Sequence, residues 1–368
     1  MTKQNKILFG ALATIALLVL PLGLQWAGNF WVRIADTALL YVLLALGLNV
    51  VVGYAGLLDL GYVAFFAIGA YLYALLASPQ LTDAFPWIAQ LFPDGLHMSF
   101  WLAIPLGAIA AGFFGVLLGA PTLKLRGDYL AIVTLGFGEI IRVFMNNLDQ
   151  PINITNGPKG IGQIDSVTLF GLDLAKRISV TDDYDINSVT LYYYLFLALV
   201  VISVIICHRL ELSRIGRAWM AIREDEIAAK AMGINTRNMK LLAFGMGATF
   251  GGVAGTMFAA FQSFVSPESF SLMESVMIVA MVVLGGIGHL PGVVLGAVLL
   301  SSLPEVLRWV SDAVDLQRAT GGRLDASILR QLLIALAMII VMLLRPRGLW
   351  PTAEHGKALT RDGGGAAK

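Results

Sequence analysis

The chain has 368 residues, of which 58% are hydrophobic and 13% charged, with 25 Lys and Arg against 24 Asp and Glu. Soluble domains average about 25% charged residues; so little polar surface cannot coat a particle of this size, which excludes a soluble enzyme, a disordered chain and a collagen-like fibre. A net charge of +1 also excludes the basic footprint of a nucleic-acid binder.

An all-α polytopic membrane protein is what remains. A bilayer core about 30 Å thick asks for about 20 apolar residues per helix. Runs that meet this lie at 7–25, 34–52, 57–77, 100–121, 128–146, 190–208, 241–262 and 328–344. The first run follows Lys3 and Lys6, contains Pro21 and lacks an A-x-A site before Trp26, so it reads as a retained helix rather than a signal peptide. The segment 275–303 is long enough for two short spans or a re-entrant pair, broken at Gly285, Gly286, Gly288, His289 and Pro291. That makes eight to ten spans.

Cations in the short connections set orientation. Lys3, Lys6, Lys124, Arg126, seven Lys and Arg between 209 and 240, and five after 344 fall on one side, so both termini are expected in the cytoplasm. The outer segment 78–99 has Asp83 and Asp94 and no Lys or Arg. The outer segment 147–189 is acid-rich and reads as turns and loop through Asn153, Asn156, Gly157, Pro158, Gly160 and Gly162. The expected organisation is a membrane domain over 1–346, with the external loop 147–189 and the cytoplasmic loop 209–240, then a partly disordered tail over 347–368.

Most catalytic vocabulary is missing. The sequence has no G-x-x-x-x-G-K-[ST], H-E-x-x-H, C-x-x-C or G-x-S-x-G. The lone Cys207 reads as a small hydrophobe. His97, His208, His289 and His355 are too scattered for a metal site, so neither enzyme, metal nor cofactor is expected.

Few ionisable or polar groups enter the spans. Glu139 and Arg142 stand three apart on one helix face, as a structural ion pair or as pathway residues. Asp59, in Gly56-Leu57-Leu58-Asp59-Leu60-Gly61, either caps a helix at the interface or, if deeper, has a functional reason to be there. Asn49 suits interhelical hydrogen bonding or substrate contact. Gly115/Gly119, Gly247/Gly251/Gly255 and Gly292/Gly296 are spaced for close helix packing.

The loop 209–240 departs from this apolar pattern. Residues 217–234 combine good helix formers with a glycine stop and predict one helix across the membrane's inner face. Ala218, Ile222, Ala229 and Met232 recur at helical spacing, while Arg223, Glu224, Asp225 and Glu226 form a charged patch. It is either a solvated interfacial connector or a docking helix for a soluble partner.

Glu226-Ile227-Ala228-Ala229-Lys230-Ala231-Met232-Gly233 resembles the E-A-A-x-x-x-G loop of bacterial ABC-importer permeases, with Ile227 where that pattern has Ala. Further stretches are similar to LivM-type permeases of branched-chain amino acid importers, in that family's order. They are Gly53-Tyr54-Ala55-Gly56-Leu57-Leu58-Asp59-Leu60-Gly61, residues 125–136, Thr155-Asn156-Gly157-Pro158-Lys159-Gly160-Ile161, Ala221-Ile222-Arg223-Glu224-Asp225, Val283-Leu284-Gly285-Gly286-Ile287-Gly288 and Arg347-Gly348-Leu349-Trp350-Pro351. Permeases of urea and short amides share much of this vocabulary.

The resemblance implies an ABC-importer permease fold in a bacterial inner membrane. It implies as partners a second, homologous permease subunit, two cytoplasmic ATPase subunits and a periplasmic binding protein. It makes 217–234 the coupling helix: Arg217, Arg223, Glu224, Asp225 and Glu226 supply charge, and Ala228, Ala229 and Gly233 permit close approach. The expected cargo is leucine, isoleucine and valine. Urea or short amides are the alternative within the class, and an ion-coupled secondary transporter the alternative outside it.

Overall fold

The computed structural model describes residues 16–26, 28–93, 95–122, 125, 127–169, 171–176, 178–181 and 184–313, and beyond them 332, 335, 336, 339, 340, 343 and 348–350. The start of the first expected span, most of 328–344 and the tail from 351 lie outside these residues.

The described chain is almost wholly helical. In order it forms α1 (Ala16–Trp26), α2 (Asn29–Asn49) continued by a π-helical turn (Val50–Tyr54), α3 (Val63–Leu76), two short helices α4 (Gln80–Ala84) and α5 (Pro86–Leu91), α6 (Phe100–Thr122) and α7 (Asp128–Asn147). After two small hairpins come α8 (Ser188–Glu211), α9 (Arg214–Glu224), α10 (Glu226–Ala231), α11 (Thr236–Gln262), α12 (Leu272–Gly285) and α13 (Leu290–Ala313). Among the described residues four helices, 29–54, α6, α8 and α11, are long and apolar enough to cross a membrane. With the shorter apolar helices they make this a multi-pass helical membrane protein.

The loop expected over 147–189 contains antiparallel pairs: β1 (Thr168–Leu169) with β2 (Leu172–Asp173), and β3 (Ile178–Thr181) with β4 (Tyr184–Ile186). Turn residues hid them, because strands of two to four residues are too short to show an alternating pattern.

α11 is the spine, packed by α6, α3 and α2. Its Gly247, Gly251, Gly252 and Gly255 are all buried, as the small-residue spacing predicts. At Gly252 the approach is backbone to backbone: a Cβ there would stand 2.3 Å from the Gly107 carbonyl oxygen of α6.

The largest departure from the sequence expectation lies at 57–77. Only 63–76 is helical, and residues 56–61 are irregular, with Gly56 at φ +69°. Their amides are taken by side chains: the Gly61 N–H donates to Asp59 Oδ1 (2.9 Å) and the Leu60 N–H to Thr134 Oγ1 of α7 (3.0 Å). Irregular backbone inside a membrane protein persists only where protein covers it, and Leu57, Asp59, Gly61 and Tyr62 are buried. Asp59 therefore sits within the bundle, ahead of α3.

A matching arrangement precedes α12. After α11 the chain turns at Ser263, pairs Val265 with Ile161, and runs through a 3₁₀ turn (Pro267–Phe270) into α12. Phe270 packs on Phe66 and Tyr71 of α3, with ring centroids 5.1 and 5.9 Å away. The Val63 N–H reaches Ser275 Oγ at 3.4 Å, so α3 and α12 begin side by side in the interior. From there they run to opposite ends, α3 to the end holding residues 148–187 and α12 to the end holding α9. At 14 residues each, they span about 21 Å. Short helices preceded by irregular backbone, begun in the interior and running to opposite ends, are a feature of proteins that line a path across the membrane.

Gly285 and Gly292 bring α12 and α13 together, as the break in 275–303 predicts. The Leu349 and Trp350 N–H groups donate to the carbonyls of Leu284 and Gly285, which satisfies the end of α12.

Candidate functional site

The α9 end of the bundle is built outward from α8. Gly216 is demanded by the tight turn, since a Cβ there would fall 2.2 Å from the Leu210 carbonyl oxygen. Ser213 caps α9 by accepting from the Gly216 N–H (3.1 Å). Trp219 is fully buried and donates through Nε1 to the Met239 carbonyl (2.7 Å), fixing α9 on the start of α11.

The single helix expected over 217–234 is two helices. Asp225 is extended, and its Oδ1 accepts from the N–H groups of Ile227 (2.8 Å) and Ala228 (3.0 Å). A capping aspartate competes with helix continuation, and helix-former content does not reveal this. Asp225→Ala should cost about 1 kcal/mol of local stability. The check is faster amide hydrogen exchange at Ile227 and Ala228 with exchange in α9 unchanged.

The residues of the expected coupling surface divide between two directions. Arg217, Glu224, Asp225, Ala228 and Gly233 are exposed, as are Ile227 and Met232, the last at 84%. Ala229 is buried. Glu226 pairs with Lys240 of α11 (2.7 Å), whose side chain is 7% exposed. Gly233 has φ +84° and nothing within 4 Å of a Cβ, so it serves as a left-handed helix stop rather than as a point of close approach within the chain.

Arg223 also turns into the protein. Its Nη1 donates to the carbonyl of Gly53, in the π-helical turn that ends α2. A Cβ on Gly288, in the turn between α12 and α13, would lie 2.8 Å from that Nη1. The Gly288 N–H donates to Asn49 Oδ1 (2.9 Å). Thus Asn49, expected as an interhelical or pathway residue, and Arg223, expected as a surface charge, join one cluster that links α9 to the ends of α2, α12 and α13.

Glu139 and Arg142 do form an ion pair, with Arg142 Nε and Nη2 at 3.0 and 2.9 Å from one carboxylate oxygen. Both are about one-third exposed on α7, and among the described residues no hydrogen bond joins them to the Arg223 cluster. Asp59 Oδ2 is buried with no hydrogen-bond partner among the described residues.

A second feature opens between α2, α12 and α13. It is a cleft of about 640 Å³ lined by Arg33, Tyr41, Met277, Glu274, Leu300 and Glu305 among others. Tyr41 donates to Glu274 (2.7 Å) and Arg33 to Gln262 at the end of α11 (2.8 Å). Nearby Asp36 of α2 is fully buried, both oxygens without a hydrogen-bond partner among the described residues. Sequence reasoning missed these groups because Arg33, Glu274 and Glu305 sit at the margins of apolar runs. Asp36, inside the run 34–52, was the available signal.

No group of three or more His, Cys, Asp and Glu is placed to hold a metal among the described residues.

A profile of the family described as "Branched-chain amino acid transport system / permease component" matches residues 30–343. The chain is 42% identical over 366 residues to the high-affinity branched-chain amino acid transport system permease protein LivM of Escherichia coli, covering 96% of this chain and 77% of that one. It is 43% identical over 331 residues to LivM of Salmonella typhimurium (87% and 70%), and 27% identical over 274 residues to LivH of the same organism (71% and 79%). No solved structure matches.

Proposed function

The chain belongs to the permease family of branched-chain amino acid transport systems, and from that premise we propose that it is the inner-membrane subunit through which leucine, isoleucine and valine cross in an ATP-driven importer. The observation that carries the substrate is the likeness, over most of the chain, to two permeases named for branched-chain amino acids. The likeness to LivH supports a second, homologous permease as partner. Two cytoplasmic ATPases and a periplasmic binding protein complete the proposed machine.

The α9 end faces the cytoplasm in this reading. Arg209, Arg214, Arg217, Arg223, Lys230, Arg237 and Lys240 gather there, in accord with the bias of Lys and Arg toward that side. α10 meets the ATPase, presenting Ile227, Ala228 and Met232. Arg223 transmits the movement, because it ties the docking element to the ends of α2 and of the α12–α13 turn. Alternating access needs two discrete packings of such elements, and the two short helices that begin at mid-bundle supply a place for the change.

The test is labelled-leucine uptake in proteoliposomes holding the two permeases, the ATPases and the binding protein, with isoleucine, valine and urea as competitors. ATP-dependent uptake blocked by isoleucine and valine is the expected result; uptake of urea alone overturns the substrate. Met232→Glu sets a charge on the exposed docking tip and should lower co-purification of the ATPases by about ten-fold, the scale of a lost interface hot spot, with insertion unchanged.

A further inference from the structure

We propose that the cleft between α2, α12 and α13 is the outer half of the substrate path, and that its charged side chains receive the two ends of a zwitterionic amino acid in succession. This rests on the reading of the chain as an amino-acid permease.

Ionisable groups in a membrane bundle are costly and face the interior or a water-filled passage. Three elements converge here to place one cation and two carboxylates on the same cleft: Arg33 from α2, Glu274 from the first turn of α12 and Glu305 from α13. At about 640 Å³, the cleft lies within the roughly 300–1,000 Å³ typical of small-molecule sites. Met277 and Leu300 give it an apolar wall suited to a branched aliphatic side chain.

The charges are staggered along the path. Arg33 bonds Gln262 at the end of α11 remote from α9, whereas Tyr41, eight residues further along α2, bonds Glu274 deep in the bundle. Eight residues are about 12 Å of helix rise, which staggers the attachment points of Arg33 and Tyr41 along the cleft. Glu305 has an inward carboxylate oxygen with no hydrogen-bond partner among the described residues. The arrangement therefore offers the substrate carboxylate a guanidinium at the mouth, and the substrate ammonium first Glu305 and then Glu274. A uniformly apolar passage would leave both ends of the zwitterion unpaired.

The same cleft runs along α12 from Met273 to Met281, on the helix whose far end carries the Gly286–Gly288 turn beside Arg223. Substrate contact with Glu274 and movement of the Arg223 cluster thus act on two ends of one short helix.

The experiment uses the full complex in proteoliposomes. Arg33→Met, Glu274→Gln and Glu305→Gln should each lower the maximal rate of leucine uptake by about ten-fold or more, with ATPase activity stimulated by the loaded binding protein retained and KM little changed, the pattern of an interaction made during passage rather than at capture. Glu305→Asp should recover much of the rate. Uptake within two-fold of wild type in all three charge variants overturns the proposal, whereas a wild-type complex that moves no leucine overturns the permease reading instead. Should the charge variants fail to insert, Met277→Cys gives an independent answer. The only native cysteine, Cys207, is fully buried, so a membrane-impermeant thiol reagent reports on position 277. Leucine with binding protein and ATP should slow labelling; labelling indifferent to leucine overturns the assignment.

Discussion

Arg223→Ala should uncouple the transporter: ATP hydrolysis and subunit assembly persist while leucine uptake falls by about ten-fold or more, within the range of roughly 5–150-fold for typical coupling free energies. The guanidinium is the direct hydrogen bond from α9 to the Gly53 carbonyl, and it fills the space beside Gly288. Hydrogen bonds from charged donors contribute about 1.5–3 kcal/mol, and their removal lets α9 move without carrying α2 or the α12–α13 turn. The check is a parallel measurement of ATPase rate, co-purification of the ATPases and uptake on one preparation. Uptake within two-fold of wild type refutes the linkage, and loss of co-purification would show that Arg223 acts in docking instead.

Gly252→Val should have the largest effect on folding. At this position α11 lies against α6 with no side chain between: the added Cβ would stand 2.3 Å from the Gly107 carbonyl oxygen and 2.7 Å from the Ala111 Cβ. Overpacking relieved by rotamer changes costs about 1–3 kcal/mol, but a carbonyl fixed in its own helix cannot rotate away. The helices must separate, and the contacts of α3 with α11 are lost with them. Gly136→Val is the control, because a Cβ on Gly136 meets nothing within 4 Å. Expressed side by side, the first should give little monodisperse protein on size exclusion and the second a normal yield. Equal yields would mean that the glycine spacing of α11 reflects composition rather than packing.

The class of the protein was legible early because it rests on sums. Hydrophobic content, charge scarcity and the length of apolar runs place the helices of α2, α6, α7, α8 and α11 within a few residues of their ends. The glycine break in 275–303 correctly marks the turn between α12 and α13. The interruption at Asp59 was not legible, because Leu57, Leu58 and Leu60 continue an apolar run. What breaks the helix there is a side chain, Asp59, holding its own backbone with the help of Thr134, 75 residues away in sequence. Asp225 splits the helix expected over 217–234 by the same local competition, which composition averages out.

By itself, then, the sequence determined that this chain is a multi-pass helical membrane protein, that it contains no G-x-x-x-x-G-K-[ST] motif, and that its polar loop 209–240 lies among motifs resembling those of an ABC-importer permease. These follow from local composition and short-range patterns, which need no partner to be read. Only the tertiary structure decided which of the marked residues act together. Arg223 faces Gly53 and Gly288, Glu226 faces Lys240, and Ala229 is buried while Met232 projects outward. It also gathered Arg33, Glu274 and Glu305 from three separate helices onto one cleft. Side-chain direction depends on where a helix is docked, and docking is set by contacts between residues far apart in sequence, 239 positions in the Asn49–Gly288 case, a distance over which no periodicity carries information.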